Sequence, residues 1–387
     1  MSPALVTPAP IARRRGACPS LDAPMQTGDG LLARLRIAGG RLTPEQMIAI
    51  AGLAGQYGNG LVEISARGNL QVRGLSAASS PQFASGVREV VSIETGLVVE
   101  TPPLAGDDPQ ERADPRQLAD TIRGLATPFA DRLGPKVTVV VDGAGQITLD
   151  HLKADIRLVT TRSGHWQVSV GNGAAVVLPV DAARALAIAT LQQIAALGID
   201  ARATDLPCAA VAAGVSVSSP IGRFTRRDGS ATGIALPFGS VKAEQLMALA
   251  RLAARHGVSA IRLAPDHCIL AFDAPPTFAA DAGALGFITD PNDPRIRISA
   301  CIGSDGCASG HIPAREIADQ LVAALPLGQT LHVSGCSKGC AHPRCADVTL
   351  VGRADGIGLV ISGTAGDTPR AVLGEDALES ALAGARG

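Results

Sequence analysis

The chain repeats itself, and the two copies are unequal. Glu45-Gln46 recurs as Glu244-Gln245. At the same offset of 199 residues, Ala49, Ala51, Leu53, Ala54 and Gly58 match Ala248, Ala250, Leu252, Ala253 and Gly257. Each copy reads as an apolar-periodic helix of about 14 residues with an acidic start, closed by a glycine suited to a left-handed C-cap. A β-rich run follows each, Leu61–Val72 and Ala260–Phe272. A second repeat comes after the first at an offset of 192: Ala154-Asp155 and Leu158-Val159 match Ala346-Asp347 and Leu350-Val351, and Gly164 and Gly171 match Gly356 and Gly363. The plan is A–B–A′–B′, over roughly 20–80, 85–200, 213–280 and 285–387, with the linker-like stretch Ala213–Pro220 at one joint.

Only B′ carries a second signal, Cys301-Ile-Gly-Ser-Asp-Gly-Cys307 followed after 28 residues by Cys336-Ser-Lys-Gly-Cys340. Four thiolates set among glycines match what a [4Fe–4S] cluster needs, one cysteine per iron. Gly303, Gly306, Gly335 and Gly339 let the backbone wrap the cluster and aim amides at its sulfides. Two alternatives stay open: zinc held by Cys336, Cys340, His342 and Cys345, which strands Cys301 and Cys307, or plain buried thiols. Cys18, Cys208 and Cys268 stand alone and are assigned no role.

Composition excludes several classes. The 387 residues carry a net charge of −1 and only 2% aromatic side chains, so neither a basic surface nor a base-stacking platform for nucleic acid is present. No apolar run reaches the roughly 18 residues of a membrane span. Arg13-Arg14-Arg15 has no apolar segment behind it, which predicts a cytoplasmic protein without a secretory signal. Clustered cysteines in a reducing compartment point to metal or redox use. No G-x-G-x-x-G lies between a strand and a helix, so electrons are expected from a separate reductase.

The A–B–A′–B′ plan with C-x5-C…C-x3-C resembles the sulfite and nitrite reductase superfamily, and nearly the whole chain takes part. Within it, the chain is most similar to the precorrin-3B synthases. The matching stretches are Arg15-Gly16-Ala17-Cys18-Pro19-Ser20, Thr27-Gly28-Asp29-Gly30-Leu31-Leu32, Gly58-Asn59-Gly60, Arg67–Gly74, Pro103–Gly106, Leu236–Gly239 and Val333–Pro343. The resemblance implies an α+β fold: two ferredoxin-like half-domains and two α/β domains related by a pseudo-two-fold, with the cluster in the second copy. It implies an O2-dependent monooxygenase that hydroxylates C20 of the tetrapyrrole precorrin-3A and closes a γ-lactone, in cobalamin biosynthesis. Cys301, Cys307, Cys336 and Cys340 would hold the cluster, with NADH-derived electrons arriving through a partner and a second, mononuclear iron as a further candidate. The competing readings are a sirohaem-dependent sulfite or nitrite reductase and an iron–sulfur electron carrier.

A tetrapyrrole with acetate and propionate arms needs cationic donors, and arginine binds carboxylates bidentately. Arg67, Asn69, Gln71 and Arg73 alternate as one face of an extended strand would, so they are the substrate-binding candidates. At the 199 offset Arg67 meets Asp266, so this basic face is not duplicated. Lys136 aligns with a lysine of the reductases and joins the candidates. Thr138 stands where they carry a second lysine, and Gly96-Leu97-Val98-Val99 where they carry an arginine. No catalytic residue is named. Asp155 could hydrogen-bond across the site or support a basic residue, and because Asp347 repeats it a shared structural role stands equally open. Arg223, Arg226 and Arg227 read as solvated surface.

Overall fold

The computed structural model describes residues 18–206, 219–342 and 344–384. Arg13–Arg15, Cys208, Pro343 and most of the Ala213–Pro220 joint lie outside them. Four sheets form in chain order. The first segment holds β1 (Met25–Thr27), β2 (Gly30–Leu35), β3 (Arg41–Leu42), β4 (Leu61–Ile64) and β5 (Leu70–Leu75), with helices α1 (Pro44–Tyr57) and α2 (Ser79–Val90). The second holds β6 (Val98–Glu100), β7 (Thr138–Asp142), β8 (Ile156–Thr160), β9 (Trp166–Val170) and β10 (Val176–Leu178), with α3 (Arg116–Ala126) and α4 (Val180–Leu197). The third holds β11 (Gly222–Arg226), β12 (Gly229–Ala235), β13 (Ser240–Lys242), β14 (Ala260–Ala264) and β15 (Cys268–Phe272), with α5 (Ala243–Arg255) and α6 (Thr277–Ala284). The last holds β16 (Ile298–Ala300), β17 (Leu331–Ser334), β18 (Ala346–Arg353), β19 (Gly356–Gly363) and β20 (Ala371–Leu373), with α7 (Ala314–Gln320) and α8 (Leu378–Gly384).

The two ferredoxin-like sheets exchange a strand. Their orders are β1-β2-β5-β4-β13 and β11-β12-β15-β14-β3, so each takes its fifth strand from the other half. Glu63 and Val62 pair with Ser240 and Val241, and Ile261 pairs with Leu42. Helices α1 and α5 pack on one another between the sheets, with Met47, Ile50, Ala51 and Ala54 sharing a core with Leu246, Leu249, Ala250 and Ala253. Small residues at the seam let the helices approach closely, and the larger ones fill the space against the sheets.

Local signals explain the helix ends. The Thr43 hydroxyl accepts from Gln46 N–H, the Gln46 side chain accepts from Thr43 N–H, and Pro44 starts α1. Its last residue is followed by Gly58 at φ −110°, which is extended and not the left-handed cap expected from sequence. Glycine is needed there for space, because a Cβ would sit 2.4 Å from the Arg73 carbonyl oxygen. The repeat glycine after α5, Gly257, does take φ +69°.

The other two sheets, β10-β9-β8-β7-β6 and β16-β17-β18-β19-β20, each combine three parallel strands with an antiparallel pair. Every residue of β7 is buried, as a central parallel strand requires. The repeat aspartates do one job in both. Asp155 Oδ2 accepts from Thr138 N–H at the head of β7 (2.9 Å), and Asp347 Oδ2 from Thr330 N–H at the head of β17 (2.8 Å). Asp155 is buried and also binds Arg202 bidentately and the Ala203 N–H. No helix among the described residues is long and apolar enough to cross a membrane.

Two expectations follow. Asp155→Ala strands Arg202 and two buried N–H donors, and should lower unfolding free energy by about 3 kcal/mol or more in urea titration. Asp347→Ala, at an exposed site, should cost about 1 kcal/mol or less. The Glu111 carboxyl accepts from Gly106 N–H at 2.8 Å, yet burial pushes it up to about 7. Between pH 4.5 and 7 the folded state therefore holds a proton that the unfolded chain releases, and stability falls as pH rises through that window. Glu111→Gln should flatten this slope in denaturation midpoints measured from pH 4 to 8.

Candidate metal centre and cationic cleft

Strands β16 and β17 run parallel, with Ala300 opposite Val333, so their carboxyl ends lie side by side. Cys301 leaves β16 and Cys336 leaves β17 at that edge, where open α/β sheets place ligands. Cys307 follows the short turn Gly303–Asp305, and Cys340 ends the glycine loop after β17. Burial raises the Cys340 thiol, and Cys336, Cys301 and Cys307 push it further. Gly335 N–H donates to Cys301 Sγ at 3.0 Å, an amide-to-sulfur bond of the kind that tunes clusters. Among the described residues no three His, Cys, Asp or Glu side chains stand close enough together to hold a metal ion.

Close packing protects this loop. A Cβ on Gly335 would lie 2.8 Å from Gly303 Cα, and one on Gly28 would lie 2.8 Å from Cys307 Sγ and 2.6 Å from Ala308 N. The β1–β2 turn of the first half thus seats directly on the cysteine loop of the last segment. The His342 ring lies 5.7 Å from His332, and Cys345 is exposed. His332 is buried with both ring nitrogens unpartnered among the described residues, and burial holds it down to about 4.

The first sheet turns a polar face toward this loop. Its other face buries Ala33, Leu35, Val62, Ile64, Leu70 and Val72 in the core with α1. On the polar face Arg34 pairs with Gln71, Gln71 with Glu63, and Glu63 with Ser240. Arg73 binds Asp29 bidentately (2.9 and 2.6 Å), with Glu63 at 3.5 Å. Arg315, from α7, approaches Glu63 at 3.3 Å. Asp29, Arg73, Glu63 and Arg315 therefore form one chain of charges running up to the cysteine loop, where Arg315 feels Cys301. Burial alone would raise the Asp29 carboxyl; hydrogen bonds from Arg73 and Thr27 outweigh it and hold it below the usual range.

The sequence-derived substrate residues do not all share one strand face. Arg67 lies in the turn before β5, and only Gln71 and Arg73 are in the strand, with Asn69 just ahead of it. The reason is the Ser65–Asn69 reversal, where Gly68 takes φ +76°. Arg67 reaches away to the second segment, binding Glu100 bidentately (2.9 and 2.6 Å) and the Lys153 carbonyl (2.8 Å). Lys136 sits on an exposed loop at the amino end of β7. Arg34 and Arg315 were missed in the sequence. Both have a buried Nε with no partner among the described residues, and burial lowers both guanidinium groups. Arg34 was detectable as a charge inside the apolar run Leu31–Leu35; Arg315 sits in a seven-residue helix without usable periodicity. Such unmet donors suit carboxylate ligands.

Gly28→Ala should lever the cysteine loop away from β1. In reduced, metal-free protein this predicts alkylation of Cys307 several-fold faster than in wild type, with buried Cys268 still unreactive, read by peptide mass spectrometry.

Residues 23–90 match the nitrite/sulfite reductase ferredoxin-like half domain. The chain is 40% identical to a precorrin-3B synthase from Sinorhizobium sp, covering 96% of this chain and 88% of that protein. It is 24% identical to the ferredoxin–nitrite reductase of Synechococcus elongatus, over 83% and 76%. The structure of the Mycobacterium tuberculosis NirA protein superposes with a TM-score of 0.66 at 20% identity, covering 90% of this chain and 79% of that one. That likeness shows the fold: an α+β, sulfite/nitrite reductase-like architecture. With the full-length match to the synthase, the chain belongs to the precorrin-3B synthase family.

Proposed function

We propose that this enzyme hydroxylates C20 of precorrin-3A with one atom of O2 and closes a γ-lactone, the other oxygen atom leaving as water. Two electrons from NADH, delivered by a partner reductase, complete the balance. The observation that carries the reading is the near full-length similarity to a precorrin-3B synthase. The four cysteines at the β16–β17 edge and the arginine-bearing polar face of the first sheet beside them fit it. Cys301, Cys307, Cys336 and Cys340 would hold a [4Fe–4S] cluster, which supplies one-electron transfer at the mouth of the cleft.

The chain's own residues bind and orient. Arg34 and Arg315 offer unmet N–H donors to peripheral carboxylates of the tetrapyrrole. Asp29 and Glu63 hold Arg73 against the sheet, so it presents a fixed donor edge. Gln71, buried in the floor, adds an uncharged donor and acceptor. Arg67 clamps the first segment to the second. Thr138, at the position of a reductase lysine, is buried with its hydroxyl 3.4 Å from the Lys153 carbonyl, so that position supplies no charge for sulfite or nitrite.

Incubation with precorrin-3A, a reductase, NADH and 18O2 should give a product heavier by one labelled oxygen atom. Cys340→Ser should abolish it. Arg34→Gln should raise KM at least tenfold with a smaller change in kcat, as expected when a carboxylate contact is removed. Unlabelled or unchanged substrate with iron-loaded wild-type protein would overturn the reading.

A further inference from the structure

Duplication leaves a second crevice at the carboxyl ends of β6 and β7, the counterpart of the cysteine edge. One residue past β6 stands Thr101 where Cys301 follows β16, and two past β7 stands Ala144 where Cys336 follows β17. A cavity of about 290 Å3 opens beside β6 and Thr101, between the first, second and third segments. Its wall carries Arg36, Arg67, Arg116, Arg123 and Arg262.

Four of these five are answered. Arg36 meets Glu94 (3.7 Å), Arg67 Glu100 (2.6 Å), Arg116 Asp114 (2.7 Å) and Arg123 Asp120 (2.6 Å). Arg262 is different: among the described residues its side chain has no hydrogen bond and no ion pair, and it lines the cavity. Only longer-range attraction from Asp107 and Glu111 acts on it, opposed by Arg41 and Arg116, and burial brings its guanidinium down to about 10.

The repeat shows how it came to be stranded. Arg262 occupies the β14 position that Glu63 holds in β4, where Glu63 has Arg73 and Arg315 as partners. Around Arg262 the matching face is apolar: Leu270 and Phe272 pack with Leu104 and Ile147 in a closed core. A deep charge among such neighbours costs stability until a counter-ion arrives.

We propose that this cavity is a carboxylate-binding site in which Arg262 takes the anion. Its volume lies near the floor of the roughly 300–1,000 Å3 typical of drug-sized ligands, enough for a carboxylate arm or a small diacid and too small for a macrocycle. The carboxylate comes either from an arm of the tetrapyrrole, which rests on the function proposed above, or from a free diacid.

The test uses the full chain, with succinate and an octacarboxylate porphyrin as probes, in calorimetry and thermal melting. Arg262→Gln should weaken at least one probe tenfold or more, and Arg262→Lys should restore part of the loss. Without ligand, Arg262→Gln should melt no lower than wild type, because it removes an uncompensated charge, and this separates lost binding from lost folding. Loss confined to succinate identifies a free diacid; loss of porphyrin affinity, with succinate competing, identifies an arm. Equal binding of both probes to wild type and Arg262→Gln, or no binding of either to wild type, would overturn the proposal. Failure of precorrin-3A turnover alone would leave these measurements readable and would count only against the proposed reaction.

Discussion

The exchange of β3 and β13 between the two ferredoxin-like sheets is the constraint on which the rest depends. A sheet that takes an edge strand from the other half cannot move without it, and the buried α1–α5 seam locks the pair from the opposite side. Neither half completes its sheet alone, so the two cleft-facing surfaces are held at one fixed relation. On that frame the β1–β2 turn meets the cysteine loop so closely that Gly28 has no room for a side chain. The cysteine loop of the last segment is thereby positioned by a turn from the start of the first.

From a symmetric scaffold the chain builds an asymmetric site. The row Arg34, Gln71, Glu63, Ser240 in the first sheet becomes Gly233, Leu270, Arg262, Arg41 in the other. One row is polar and linked by charges to the thiols; the other is mostly sealed under Leu104 and Ile147. Carboxyl ends of parallel strands are where backbone geometry leaves room for ligands. Duplication supplies two such edges, and side-chain chemistry makes one thiol-rich and the other cationic.

Much of this is legible in the sequence. The repeat offsets expose the A–B–A′–B′ duplication, the family resemblance supplies the α+β fold, and the helix of about 14 residues is α1, Pro44–Tyr57. The strand exchange is not legible, because β3 and β13 span two and three residues, too few to carry a period. Alternation also misled: it ran Arg67 into the strand, although Gly68 breaks the extended path at φ +76°. Gly58 was assigned to the right boundary for the wrong reason, since its restriction is the nearby Arg73 carbonyl and not a left-handed turn. Glu63, Arg315 and Arg262 gain their meaning from partners, or from the lack of one, which a linear reading does not contain.

The central claim is that Cys301, Cys307, Cys336 and Cys340 together hold one cluster at the β16–β17 edge. Iron and acid-labile sulfide counted in protein purified without oxygen, alongside EPR after dithionite reduction, test it most directly. The account predicts about four irons and four sulfides per chain with a reduced-cluster signal, all lost in Cys301→Ser. A single zinc per chain, or iron retained by Cys301→Ser at wild-type stoichiometry, would contradict it.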